Sequence, residues 1–390
     1  MVMVIDIERE TRILSQEIPQ KSGSYRRFAG TEAEHRTIEH IAGRFREIGL
    51  DTRVEWLQFM GWEPVSESLT VLVPERRTIE CAPLTWAGST PAAGVEGRLV
   101  YTGPTDLVLF RWDRWGIVQD AEEVAYVVGI TDDFPALPEP LDFPDINVPC
   151  VEFGKADNDL LHRWRQAGQE IRVNLTMQTV YKPQSRTANV IGRVQGTREP
   201  NTVVMVTGHH DSFSPGASDN ASGVVSVMLL AERYKNRGCP YTIEFTSFGA
   251  EEWNLLGSRT HMEMQKQRGE LGRVKAVLNI DTVSHPEAEW IWMMVDASDS
   301  AHLRQLTQEA LRELELDQRY EVRWDPAARG RYPGAGVDSA VYTHEGIPAL
   351  TVVWWPFPAM HQRSEIRSNP EQIRVTVDII DRVVQKLAGL

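Results

Sequence analysis

The stretch "VTGHHDSFSPGASDNASGVV" sets His209, His210 and Asp211 ahead of a second acid, Asp219, which opens an apolar run. Further along come "FGAEEWNLLGS" with Glu251 and Glu252, "NID" ending at Asp281, and "HQRSE" beginning at His361. Two imidazoles and several carboxylates without a thiolate suit zinc or a similar divalent metal with an open coordination position. The candidates exceed what one tetrahedral ion takes. Two ions sharing a bridging carboxylate would use them, and ions about 3.5–4 Å apart are a recurrent hydrolytic device. One carboxylate then stays outside the metal shell as general base, positioning and deprotonating a bridging water. The pair Glu251-Glu252 supplies both roles, because adjacent side chains at a strand-to-helix turn point in different directions.

Such residues act together only if the fold gathers them, and the pattern around them predicts that it does. "TVVMVTG", "YTIEFTSFGA", "VKAVLNIDTV" and "IPALTVVWW" read as strands. "ASGVVSVMLLAERYKNRG", "EEWNLLGSRTHMEMQKQ", "SAHLRQLTQEALRELEL" and "PEQIRVTVDIIDRVVQKLAG" read as helices. Strands alternating with helices predict an α/β fold of three layers, a mixed, mostly parallel sheet between helices. In such sheets the site lies beyond the carboxyl ends of the strands, and each candidate follows a strand or opens the next helix. Side chains alternate along the extended run "VVMVTGHHD", so His209 and Asp211 face one side and His210, read as a packing residue, the other. Nearer the start, Ile38, Ile41, Ala42, Phe45 and Ile48 mark an amphipathic helix capped by Thr31 and closed by Gly49, with "TRVEWLQF" a strand after it. From 61 to 182 short β-rich runs between Pro- and Gly-bearing turns predict an inserted, mostly β domain, leaving 1–60 and 183–390 as one discontinuous domain.

Composition narrows the partners. With 41 basic and 55 acidic residues the net charge is −14, which disfavours nucleic acid and anionic membrane surfaces. No run approaches the ~20 apolar residues of a membrane span. Cys81, Cys150 and Cys239 are scattered and odd in number, and the first residues carry acids with no signal pattern, so a cytoplasmic setting is expected.

The motifs "GHHD" (208–211), "GASDNASG" (216–223), "FGAEEWNLLGS" (248–258), "NID" (279–281) and "HQRSE" (361–365) resemble, in order, those of the M28 metallopeptidases, co-catalytic zinc aminopeptidases. The resemblance implies two divalent metal ions, expected to be Zn2+, a peptide substrate and hydrolysis by a metal-bridging hydroxide. His209, Asp219 and Asp281 would hold one ion; Asp219, Glu252 and His361 the other, with Asp219 bridging. Glu251 would be the general base, and Asp211 would orient His209 through its second ring nitrogen. The resemblance also implies a cis bond at Asp219-Asn220, a protease-associated-like role for 61–182, and an oxyanion contact from Tyr332. Two departures stand out: Asn254 replaces the family's glycine after the glutamate pair, and "GVDSAVY" keeps Asp338 but loses a histidine. Asn tolerates left-handed backbone, so the turn is expected to survive.

An aminopeptidase is the reading these residues favour; the same site serves carboxypeptidases, other amidohydrolases and glutaminyl cyclases, and a relative without ligands would only bind. A serine hydrolase is disfavoured by the absence of a GxSxG elbow, with Ser222 in the first helical turn. His261, His285, His302 and His344 read as structural, Arg363 and Arg367 as surface charges. Trp354 and Trp355, just before His361, are candidates to line a specificity pocket.

Overall fold

The computed structural model describes residues 5–107, 110–131, 147–295, 300–325, 336–357, 360–361 and 364–390. The chain forms two compact units, Met1–Phe59 with Arg186–Leu390, and Met60–Ser185. These divisions fall beside positions 60 and 182, where the texture of the sequence changes.

In the first unit, helix α1 (Glu32–Ile48) starts where Thr31 accepts the Glu34 amide and stops at Gly49, whose φ of 88° is left-handed and suits glycine. Its Ile38, Ile41, Ala42 and Phe45 are buried. Strands β1 (Asp51–Val73) and β2 (Arg172–Val194) each run from one unit into the other. Then follow β3 (Glu199–His209), α2 (Gly223–Arg237), β4 (Tyr241–Phe248), α3 (Leu256–Gln267), β5 (Val274–Ile280) and β6 (Trp290–Val295). Helix α4 (Ala301–Glu313), β7 (Glu321–Asp325), α5 (Ser339–Thr343), β8 (Ala349–Trp355) and α6 (Pro370–Leu387) complete the unit. The sheet order is β7-β6-β8-β5-β3-β4-β2. Neighbours β7/β6, β8/β5, β5/β3 and β3/β4 are parallel, whereas β6/β8 and β4/β2 are antiparallel. Val204 and Val206 of β3 join a core with α1, α2, α4 and α6, while Met205 joins a core with α3 and α5. Successive side chains therefore feed opposite faces, giving helix, sheet and helix layers.

Two strands escape the sequence pattern. β6 ("WIWMMV") has no polar alternation, and β7 ("EVRWD") is a short edge strand. The predicted helix over 251–267 begins only at Leu256, because Ala250, Asn254 and Leu255 take φ of 55°, 60° and 59° and make a turn first.

The second unit holds Val95–Leu107, Phe110–Gln119, Glu122–Ile130, Cys150–Phe153 and Cys81–Pro83 side by side in that order, with helix Lys155–Gln166. All these pairings are antiparallel except the one between Glu122–Ile130 and Cys150–Phe153. Trp112, Trp115, Tyr126 and Phe153 fill its interior.

His261 illustrates a histidine used for structure. Fully buried, it lies 2.9 Å from Glu55 Oε1 and 3.0 Å from Glu244 Oε1, and Arg193 Nε donates to Glu244. Burial disfavours the charged imidazole, but the two carboxylates outweigh it and lift it from 6.5 to about 9. His261→Ala should cost about 3–5 kcal/mol in urea unfolding, because two carboxylates lose their buried counter-charge. The raised imidazole stabilises fully below pH 6.5, and its contribution is lost as pH rises through about 9. The wild-type urea midpoint should therefore fall over that window, and His261→Ala should flatten the slope.

Candidate metal centre

β3 delivers His209 at its carboxyl end with the ring facing the strand ends of β4 and β5. His209 Nδ1 lies 3.2 Å from the main-chain oxygen of Asp211 and 3.7 Å from its Oδ1. A proton donated there leaves Nε2 as the nitrogen for a metal. His210 turns the other way: Nδ1 pairs with Ser247 Oγ at 2.9 Å and Nε2 lies 3.7 Å from Glu34 Oε1. The Asp211 main-chain oxygen, not its carboxylate, is the atom in hydrogen-bond range of His209, and the carboxylate is engaged elsewhere. Its Oδ1 accepts the Glu251 amide at 3.0 Å and its Oδ2 the Glu252 amide at 3.3 Å, so it holds the glutamate turn in place.

Asp219 sits in a tight turn, Ala217–Ser222, entered through Gly216 at φ 62°, and the Asp219-Asn220 peptide is cis. The Asn220 side chain donates to Ile280 O at 2.9 Å and accepts from Gly223 N at 2.9 Å and Thr282 N at 3.2 Å. It thereby ties the Asp219 turn to the end of β5, where Asp281 projects. Glu365 Oε1 accepts the amides of Ser218 and Asp219 at 3.1 and 2.7 Å, and its Oε2 accepts the Ser214 hydroxyl. Ser222 Oγ donates to Ser218 O and accepts from Val283 N, and Ser212 Oγ donates to Asp219 O. Both hydroxyls are committed to the turn, so neither serves as a nucleophile.

These elements bring all five ligand candidates and Glu251 to one place. His209 Nε2 lies 3.1 Å from Asp219 Oδ1, 3.4 Å from Asp281 Oδ1 and 3.9 Å from Glu251 Oε2. His361 Nε2 lies 3.1 Å from Asp219 Oδ2 and 3.3 Å from Glu252 Oε1. Asp219 thus turns one oxygen to each imidazole. His209, Asp219 and Glu252, and separately His209, Glu251 and Asp281, each present ligand atoms within 4.8 Å of one another. Among the described residues, buried Asp219 Oδ1 and Glu252 Oε1 have no hydrogen-bond donor.

The electrostatics call for a cation. Burial pushes the Glu251 carboxyl well above its usual range, and lifts Glu252 and Asp338 each to about 7. Burial opposes charged imidazoles, yet the facing carboxylates hold His209 and His361 well above theirs. Asp219, despite burial, is held low by the two histidines that face it. Buried carboxylates gathered around two imidazoles concentrate negative charge, which a divalent ion on these oxygens and nitrogens would neutralise. The donor set, carboxylate oxygen and imidazole nitrogen without sulfur, fits zinc.

Phe213 packs edge-on to His361 with ring centroids 5.2 Å apart. Trp354 does not face the site: it is 1% exposed, and its Nε1 donates to Thr376 in α6. Alternation along β8 sends it into the core. Tyr332 and Arg363 lie outside the described residues. Glu365 is signalled in the sequence only by its spacing from His361 in "HQRSE", and Arg27 has no such signal.

Residues 189–381 match the family model described as Peptidase family M28. Aminopeptidase YwaD of Bacillus subtilis (strain 168) is 26% identical over 334 residues, 80% of this chain and 71% of that protein. Leucine aminopeptidase 2 of Arthroderma otae is 36% identical over 143 residues, which are 36% of this chain but only 28% of the relative. The fold is shared with BSAP, a zinc aminopeptidase from Bacillus subtilis, at a TM-score of 0.72 and 21% identity over 97% of this chain and 94% of that one. An M28 peptidase precursor from Shewanella amazonensis superposes at a TM-score of 0.73 with 16% identity, over 98% of this chain and 97% of that one.

Proposed function

Since the chain belongs to peptidase family M28, we propose that it is a two-zinc aminopeptidase that removes N-terminal residues from peptides. The observation that carries this reading is Asp219, placed between two imidazoles with one carboxylate oxygen toward each. His209, Asp219 and Asp281 would hold one ion, and Asp219, Glu252 and His361 the other. Bound there, the ions polarise the scissile carbonyl and make water acidic enough to attack it near neutral pH. Glu251 Oε2 takes the proton from the attacking water and passes it to the leaving amine. Asp211, by accepting both glutamate amides, keeps Glu251 and Glu252 pointing to their separate tasks. The mostly β unit Met60–Ser185 takes the place of a protease-associated-like module, inserted ahead of the metal-binding segments. A cytoplasmic setting agrees with three cysteines that no disulfide joins.

A panel of free-amine aminoacyl substrates and N-blocked peptides, assayed with and without a chelator, tests the proposal. Free-amine substrates should be cleaved, the chelator should abolish turnover, and added Zn2+ should restore it. Cleavage of blocked peptides alone would overturn the aminopeptidase reading.

A further inference from the structure

Arg27 lies far from the chain segment that matches the family model, yet its side chain is fully buried against the link between His209 and Asp219. Nε donates to His210 O at 2.9 Å, Nη1 to Leu14 O at 3.1 Å and Pro215 O at 2.5 Å, and Nη2 to Gly216 O at 3.2 Å. Its own carbonyl accepts the Ser212 amide at 3.1 Å, an isolated antiparallel bridge. Main chain and side chain therefore grip the same connection from one side. From the other, Glu365 holds the Ser218 and Asp219 amides and the Ser214 hydroxyl.

A buried guanidinium is ordinarily matched by a carboxylate in direct contact. Among the described residues every hydrogen bond of the Arg27 side chain goes instead to a main-chain oxygen, and its charge is balanced through space by Glu365, Asp211, Asp219 and Glu252. We propose that Arg27 is a positioning residue of the metal centre. It fixes the backbone from His210 to Gly216 so that His209 and Asp219 reach a common ion, and it supplies a permanent positive charge among the ligand carboxylates. Burial draws the guanidinium down to about 10 while those four acids draw it back up, so it stays charged at neutral pH. A lysine would keep the charge but not the planar fork that spans four carbonyls.

The inference rests on the zinc-site reading, and one titration separates the two. Wild type, Arg27→Lys and Arg27→Met are stripped of metal, checked for folding by circular dichroism, and titrated with Zn2+ against a chromophoric chelator. kcat and KM are then measured at saturating Zn2+. Wild type should take up two equivalents. Both variants should bind Zn2+ at least tenfold more weakly and lose at least tenfold in kcat, with KM changed less than twofold and Arg27→Lys the milder. Folded variants with wild-type Zn2+ affinity and kcat would overturn the inference, as would failure of both to fold, which would make Arg27 a residue of the core. A wild type that takes up no Zn2+ would overturn the metal-site reading itself, and this inference with it.

Discussion

Glu251→Gln is expected to keep its two equivalents of zinc while kcat falls by about 10²–10⁴-fold, the range a positioned general base contributes. The two glutamates are adjacent but not equivalent. Glu252 Oε1 sits 3.3 Å from His361 Nε2, whereas Glu251 approaches a ligand histidine no closer than 3.9 Å. Both amides are held by Asp211, so an isosteric amide at 251 leaves the turn and the neighbouring ligand where they are. What glutamine cannot do is accept a proton. Burial, reinforced by Asp338, Glu252 and Asp281 and opposed by His209, pushes the Glu251 carboxyl up toward the range where a base works best near neutral pH. A rival assignment is available, because His209, Glu251 and Asp281 also present atoms close enough to share an ion. Metal analysis beside single-turnover kinetics decides between them. Zinc content dropping to one equivalent would make Glu251 a ligand, and kcat within tenfold of wild type would remove it from proton transfer.

Much of this centre can be read from local pattern, since the information is periodic or tied to a backbone conformation. Strand alternation separates His209 from His210, and the structure turns their rings to opposite sides. Thr31 and Gly49 bound α1 because an amide needs an acceptor at one end and a left-handed residue at the other. Asn254 takes φ of 60°, the conformation for which the family's glycine suggested a requirement. Two things were not legible, for a common reason. The Arg27 contacts with His210, Pro215 and Gly216 join residues 183 to 189 positions apart and end on carbonyl oxygens, which every residue carries. Asp211 spends its carboxylate on two amides, again groups without sequence identity. Side chains that choose other side chains leave a trace in residue type; side chains that choose the backbone leave little.

Asp219→Ala should abolish turnover and lower zinc affinity by more than the roughly 10–100-fold typical of losing a group behind a ligand. The reason is geometric. Asp219 is 3.1 Å from both His209 Nε2 and His361 Nε2, so one substitution removes an oxygen from each proposed ion. It also removes the group whose charge would offset the repulsion between two cations at close range. The surrounding turn should persist, because its hydrogen bonds run through the Asp219 amide to Glu365, its carbonyl to Ser212 and the Asn220 side chain to β5. Asp219→Asn sharpens the test. It keeps the shape and one acceptor oxygen but replaces the other oxygen with an NH2 group that cannot bind metal. If Asp219 bridges, the Asp219→Asn protein should bind at most one equivalent tightly and remain inactive at high Zn2+. If it ligates a single ion, one equivalent should bind with wild-type affinity in Asp219→Ala as well, and added Zn2+ should recover part of kcat. Two tight equivalents in either variant would end the bridging assignment, and with it the argument that this buried carboxylate, drawn toward two histidines at once, is what makes the site binuclear.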